Sequence, residues 1–231
     1  MSREEAEQLI NELVQSLPQH WAADACPPAP EPSVHTQHLE GRGSATLSLL
    51  TLSSNQPVDE ALYPALVLFN EILGSGYESR LTQELRELRS LTYGIHSSLT
   101  PLDAACLLHI FWDIAPRYRD GAHALVSRLL KCLSERGPSQ AECNMALNQV
   151  AGTLHRALAD NAGLARQLAE FHHRGLPEDY LATYLDKLAA LTPTNIREAV
   201  QVWLGTAQEV FITIGPDTEQ VPLPAPLPVD Q

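Results

Sequence analysis

The stretch CLLHIFWDI, residues 106–114, constrains the fold more than any other part of the chain. Its alternation places Cys106, Leu108, Ile110, Trp112 and Ile114 on one side of an extended strand and polar or mixed residues on the other. Such a strand is half-buried and needs a second layer over its apolar side. Residues 93–100 alternate in the same way and read as its partner. After Pro116 the apolar period becomes helical. Helices are predicted over 117–135, 138–159, 161–174, 177–190 and 193–204, punctuated by Gly137, Gly175 and Pro193.

Upstream, VHTQHLE (34–40) and SATLSLLTLS (44–53) read as two strands joined by Gly-Arg-Gly. Residues 58–73 read as a helix with Leu62, Leu66, Phe69 and Leu73 on one face, ended by Gly-Ser-Gly at 74–76. Ser79 reads as the N-cap of a second helix running to about Arg89, and 208–214 as a closing strand. Strands adjacent in the chain, followed by a run of helices, predict an α+β fold with a mostly antiparallel sheet and helices packed on it.

The ends carry a different composition. Residues 3–17 form an amphipathic helix with Ala6, Leu9, Ile10, Leu13 and Leu17 on one stripe, and CPPAPEPS (26–33) follows. Four prolines in six residues favour a stiff, extended connector. The expected organisation is a terminal helix of a preceding domain (1–25), a linker (26–33), the domain proper (34–216) and a Pro-rich tail (217–231), extended or disordered.

The net charge of −13 argues against nucleic acid as the main partner. No apolar run reaches the roughly 18–20 residues that span a bilayer. The opening MSREEAEQLINELVQ lacks the basic-then-apolar plan of a signal peptide. The compartment stays open, cytoplasmic or periplasmic in a bacterium. Cys26, Cys106, Cys132 and Cys143 form no CxxC pair, which argues against a structural zinc site.

A search for chemistry returns mostly negatives. There is no GxSxG nucleophile elbow, and LGSGYESRL lacks the lysine of a phosphate loop. Neither HExxH nor HxxEH occurs. In HTQHLE, His35 and His38 point to opposite faces of a strand and do not converge with Glu40 on a metal. His172 and His173 suit a helix C-terminus, and His109 and His155 stand alone. What remains is RLTQELRELRSLTY, residues 80–93. It reads first as a charged helix face. Arg86 and Tyr93, seven apart, also form a donor pair, a permanent cation with a neutral hydroxyl, suited to a polarised carbonyl or a developing oxyanion.

LGSGYESRLTQELRELRSLTYGI (73–95) closely resembles the C-terminal, non-metal-binding half-module of pitrilysin- and insulysin-like zinc metallopeptidases, the inverzincins, a group that includes mitochondrial processing peptidase. That family shows an LGGG…SRL…LRE…GLAY pattern here, matched by Leu73, Gly74, Gly76, Ser79, Arg80, Leu81, Leu85, Arg86, Glu87, Leu91 and Tyr93. The helix with Tyr-Pro-Ala-Leu (63–66), the segment LTPTNIREAVQVWL and the closing Ile-Gly-Pro (214–216) fit as well, so the resemblance covers about 33–216. Ser75 and Ser90 depart from it, standing where glycine is usual, and Thr92 replaces a small apolar residue.

The resemblance implies a module that binds no metal and is inactive alone. Its partner would be an N-terminal HxxEH-bearing half, on the same or a separate chain, holding zinc and closing a chamber around a peptide substrate. Arg86 and Tyr93 occupy the positions from which the second half reaches the substrate near that zinc. A structural or interaction module that kept the fold without peptidase work is the alternative.

Overall fold

A computed structural model describes residues 2–17, 35–55, 58–102, 105–177 and 179–227. Cys26 and the linker expected at 26–33 lie outside these residues. The chain divides into two units, residues 1–31 and 32–231.

The first unit contains helix α1, Arg3–Ser16. Ser2 caps it: its hydroxyl accepts from the Glu5 amide, and the Glu5 carboxylate accepts from the Ser2 amide in return. Leu9, Ile10, Leu13 and Val14 are all more than half exposed.

The second unit is a five-stranded sheet in the order β1-β5-β2-β4-β3. The strands are β1 (Thr36–Glu40), β2 (Thr46–Ser54), β3 (Ile95–Pro101), β4 (Cys106–Ile114) and β5 (Ala207–Gly215). All pairings are antiparallel except β1 with β5. The Gly-Arg-Gly strands are therefore not neighbours, because β5 returns from the far end of the chain to lie between them. Alternation sorts the residues as expected: Cys106, Leu108, Ile110, Trp112 and Ile114 are buried, as are Leu50 and Leu52 of β2. The opposite face carries Leu39, Leu47, Phe111 and Ile214, all more than 40% exposed.

Helices cover the buried face. They are α2 (Leu62–Asn70), α3 (Arg119–Arg136), α4 (Gln140–Ala157), α5 (Asn161–His173), α6 (Tyr180–Ala189) and α7 (Pro193–Leu204). Ser139 and Thr192 close capping boxes on α4 and α7, and Pro193 occupies the first turn of α7. Trp203, Ile196 and Val200 of α7 are wholly buried. Phe171 of α5 meets Tyr180 edge-on at 5.0 Å, and the Arg174 guanidinium lies 3.4 Å over the Tyr63 ring, tying α5 and α6 to α2.

The Pro-rich tail is extended as far as Leu227 and docked. The Val221 amide donates to the Arg117 carbonyl at 2.9 Å and the Leu227 amide to the Leu88 carbonyl at 2.6 Å. Leu223 fills the space a Cβ on Gly121 would take, with Cγ 2.9 Å away.

Candidate functional site

The helix expected over 58–73 begins at Leu62 and leaves the α-helical ladder at Asn70, continuing as a π-helical turn over Glu71–Ser75. A wider turn swings the backbone, and such turns gather at functional sites. Two glycines make the bend possible. A Cβ on Gly74 would lie 2.8 Å from both Leu81 Cδ1 and Ser97 Oγ, so only glycine lets the helix approach β3 this closely. A Cβ on Gly76 would lie 2.8 Å from the Glu71 carbonyl oxygen and 3.0 Å from its Oε1, so the Glu71 carboxylate folds back over that corner.

Ser79 then caps the next helix, whose body, Thr82–Glu87, is also π-helical. It closes with the Ser90 amide on the Arg86 carbonyl and the Leu91 amide on the Leu85 carbonyl. Each bond spans one residue more than in the usual Schellman ending. Ser90 takes the left-handed conformation, φ 50°, that such an ending assigns to glycine. Beyond it, Thr92 Oγ1 bonds Asp113 Oδ1 at 3.0 Å and the Gly94 carbonyl at 2.9 Å, pinning the loop to β4.

The three arginines of this stretch have different partners. Arg80 makes a two-pronged pair with Glu142 of α4, Nε to Oε1 at 2.6 Å and Nη2 to Oε2 at 3.0 Å. Burial works against both charges but is outweighed: the guanidinium holds the Glu142 carboxyl down at about 2, with help from the Ser139 amide and hydroxyl. Arg89 is paired with Glu84 and its side chain is 12% exposed. Arg86 is 38% exposed. Its ionic contact is with the adjacent Glu87, at 3.5 Å, and its guanidinium lies 5.4 Å over the Tyr77 ring.

Tyr93 is 94% exposed. The structure does not bring Arg86 and Tyr93 into contact: Arg86 rests on Tyr77, and Tyr93 projects into solvent from the loop pinned by Thr92. The sequence alone does not single out Tyr77; an aromatic directly after Gly-Ser-Gly is its one signal. His35 and His38 point apart, Nδ1 of His35 to the Glu209 carbonyl and Nδ1 of His38 to Thr213 Oγ1. Among the described residues no three His, Cys, Asp or Glu side chains converge on a point that could hold a metal. The described residues therefore offer no ligand set for a zinc ion. No helix of the described residues is long and apolar enough to cross a membrane.

The fold is a one-sheet layer under helices with two π turns, the first shaped by Gly74 and Gly76. Residues 1–150 match the family described as the peptidase M16 inactive domain, and the chain belongs to that family. The crystal structure of a peptidase M16 inactive domain from Pseudomonas fluorescens superposes on 97% of this chain with a TM-score of 0.86 and 30% identity. A Helicobacter pylori protease shares the fold over 94% of the chain, TM-score 0.79, at 16% identity. A Streptomyces coelicolor protein named an uncharacterized zinc protease is 25% identical over 152 residues, 66% of this chain. The chain spans 53% of the Pseudomonas structure and 33% of the Streptomyces relative.

Proposed function

We propose that this chain is the non-catalytic half of a zinc-dependent endopeptidase. It helps enclose a peptide substrate and presents Arg86 and Tyr93 to the active site of a partner half bearing HxxEH. Zinc, when bound, would belong to that half and supply a polarised water. This chain would supply charge and a hydrogen bond. The Arg86 guanidinium would sit near the scissile carbonyl as a fixed cation, and the Tyr93 hydroxyl would donate to the oxygen as negative charge builds on it.

One observation supports the reading above others. Arg80 and Arg89 are taken up by Glu142 and Glu84, whereas Arg86, beside the adjacent Glu87 and over the Tyr77 ring, and Tyr93 are presented to solvent on a tightly bonded turn. A phenol 94% exposed contributes nothing to the core.

The test is turnover of a quenched fluorescent peptide by the reconstituted pair of halves, with Arg86→Ala and Tyr93→Phe introduced here. Loss of one oxyanion donor costs about 10²–10³ in kcat. A loss of that order with an unchanged melting temperature is expected for each variant. Kinetics equal to the parent would leave the alternative, a structural module without peptidase work.

A further inference from the structure

A side chain as exposed as Tyr93 has little protein around its ring to steer it. The direction in which the phenol leaves the fold is therefore set by the main chain of residues 92–94. These residues bridge two fixed points. Before them, the Leu91 amide is bonded to the Leu85 carbonyl. After them, Ile95 opens β3 in register with the buried Trp112 of β4.

One hydroxyl closes the bridge. Thr92 Oγ1 accepts from the Gly94 amide at 3.1 Å, which folds a short turn around Tyr93. The same oxygen lies 2.9 Å from the Gly94 carbonyl oxygen and 3.0 Å from Asp113 Oδ1. A hydroxyl has a single proton to give, and an ionised carboxylate is the stronger acceptor, so the proton goes to Asp113. Thr92 is buried, and a buried hydroxyl left without an acceptor is costly, which holds this bond closed. Asp113 is a firm post for it. It sits on β4 beside Trp112, opposite Leu47 of β2, with strands paired on both sides. The small apolar residue usual at position 92 in the family could not make this tie.

We propose that Asp113, acting through the Thr92 hydroxyl, is the positioning residue for Tyr93. A hydrogen-bond donor lowers a barrier only when it is already held where charge will develop, and a small misplacement forfeits much of the gain. The tie from β4 gives an otherwise unsupported phenol that fixed origin. Arg86 does not depend on it, since its guanidinium rests on Tyr77. The inference rests on the reading of Tyr93 as a donor to the active site of a partner half, and it names what aims that donor.

The test reads turnover by the reconstituted pair of halves and, separately, backbone order in this chain. Thr92→Val keeps the shape of the side chain without its hydroxyl, and Asp113→Ala removes the post. Each lowers kcat about tenfold, and no further than Tyr93→Phe does. KM stays within about twofold, because the contact belongs to the transition state. Thr92→Ser, which keeps the hydroxyl, recovers most of the loss. Added to Tyr93→Phe, neither Thr92→Val nor Asp113→Ala costs anything more. In this chain alone, ¹⁵N relaxation gives the Tyr93 amide an order parameter of about 0.85, falling below about 0.6 in both variants, while the Arg86 amide keeps its value. Parental turnover in Tyr93→Phe overturns the donor reading and this inference with it. Slow turnover in Tyr93→Phe beside parental turnover in Thr92→Val and Asp113→Ala overturns the inference alone. So do a further loss in the combined variants, the mark of general damage, and a Tyr93 order parameter that does not move.

Discussion

Replacing Glu142 with glutamine tests how the Arg86 turn is held in place. Glu142 does two jobs. It closes the capping box of α4 with Ser139, and it takes both prongs of Arg80, 62 residues earlier in the chain. Its carboxyl titrates at about 2 in the fold, against about 4.3 for an unperturbed glutamate. That gap sets an upper limit of about 3 kcal/mol. The side chains are 23% and 27% exposed, and solvent screening brings the expected cost of Glu142→Gln at pH 7 to about 1–2 kcal/mol.

The sign follows from the lowered value. The folded state holds this proton more weakly than the unfolded chain, so the stabilisation is complete above the unfolded glutamate value. It fades as pH falls from about 4.3 toward about 2. Urea unfolding of both proteins across that window should show their stabilities converging as the wild-type pair is protonated. A double-mutant cycle with Arg80→Met at pH 7 should return a coupling of the same 1–2 kcal/mol order. A gap that stays constant with pH, or a coupling indistinguishable from zero, refutes the assignment of this stability to the ion pair.

Two further outcomes follow from local geometry. Ser90→Gly should raise the unfolding free energy from urea titration by about 0.5–1 kcal/mol, since an L-residue at φ 50° carries a left-handed penalty that glycine escapes in part; an unchanged value would mean the turn stores no strain. Stopping the chain at Asp217 removes the Leu227–Leu88 bond and the partly buried Leu223. The expected loss is about 1–2 kcal/mol, with faster hydrogen exchange at the Leu91 amide, and identical exchange would show that the tail is not a brace.

Local patterns carried much of the fold. The β4 alternation and the α7 start at Pro193 are both as the residues predict, because each depends on neighbours a few positions away. Pairing across distance was not legible. Nothing in VHTQHLE says that it lies parallel to residues 211–215 rather than against the next strand, since register depends on partners chosen by the whole core. The first π turn is hidden for a similar reason: it answers the close approach of Gly74 to Ser97, a contact made in space. For the site, the sequence singled out Arg86 by resemblance and left Arg80 and Arg89 as surface or packing residues. The partners that occupy them, Glu142 and Glu84, and the ring beneath Arg86 came only with coordinates.

The place of β5 has a consequence for how the molecule is made. It is the last of the described strands, yet it lies inside the sheet, between β1 and β2. Until residues 207–215 leave the ribosome, β2 has β4 on one side and an unpaired backbone row on the other, and β1 has no partner at all. The sheet is thus finished after synthesis of the helical half, by contacts spanning most of the chain, which makes closure slow. During that interval the apolar flank of β2 is open to a neighbouring nascent chain, so yield in a host should respond to translation speed and chaperone supply more than the finished fold's stability alone would suggest.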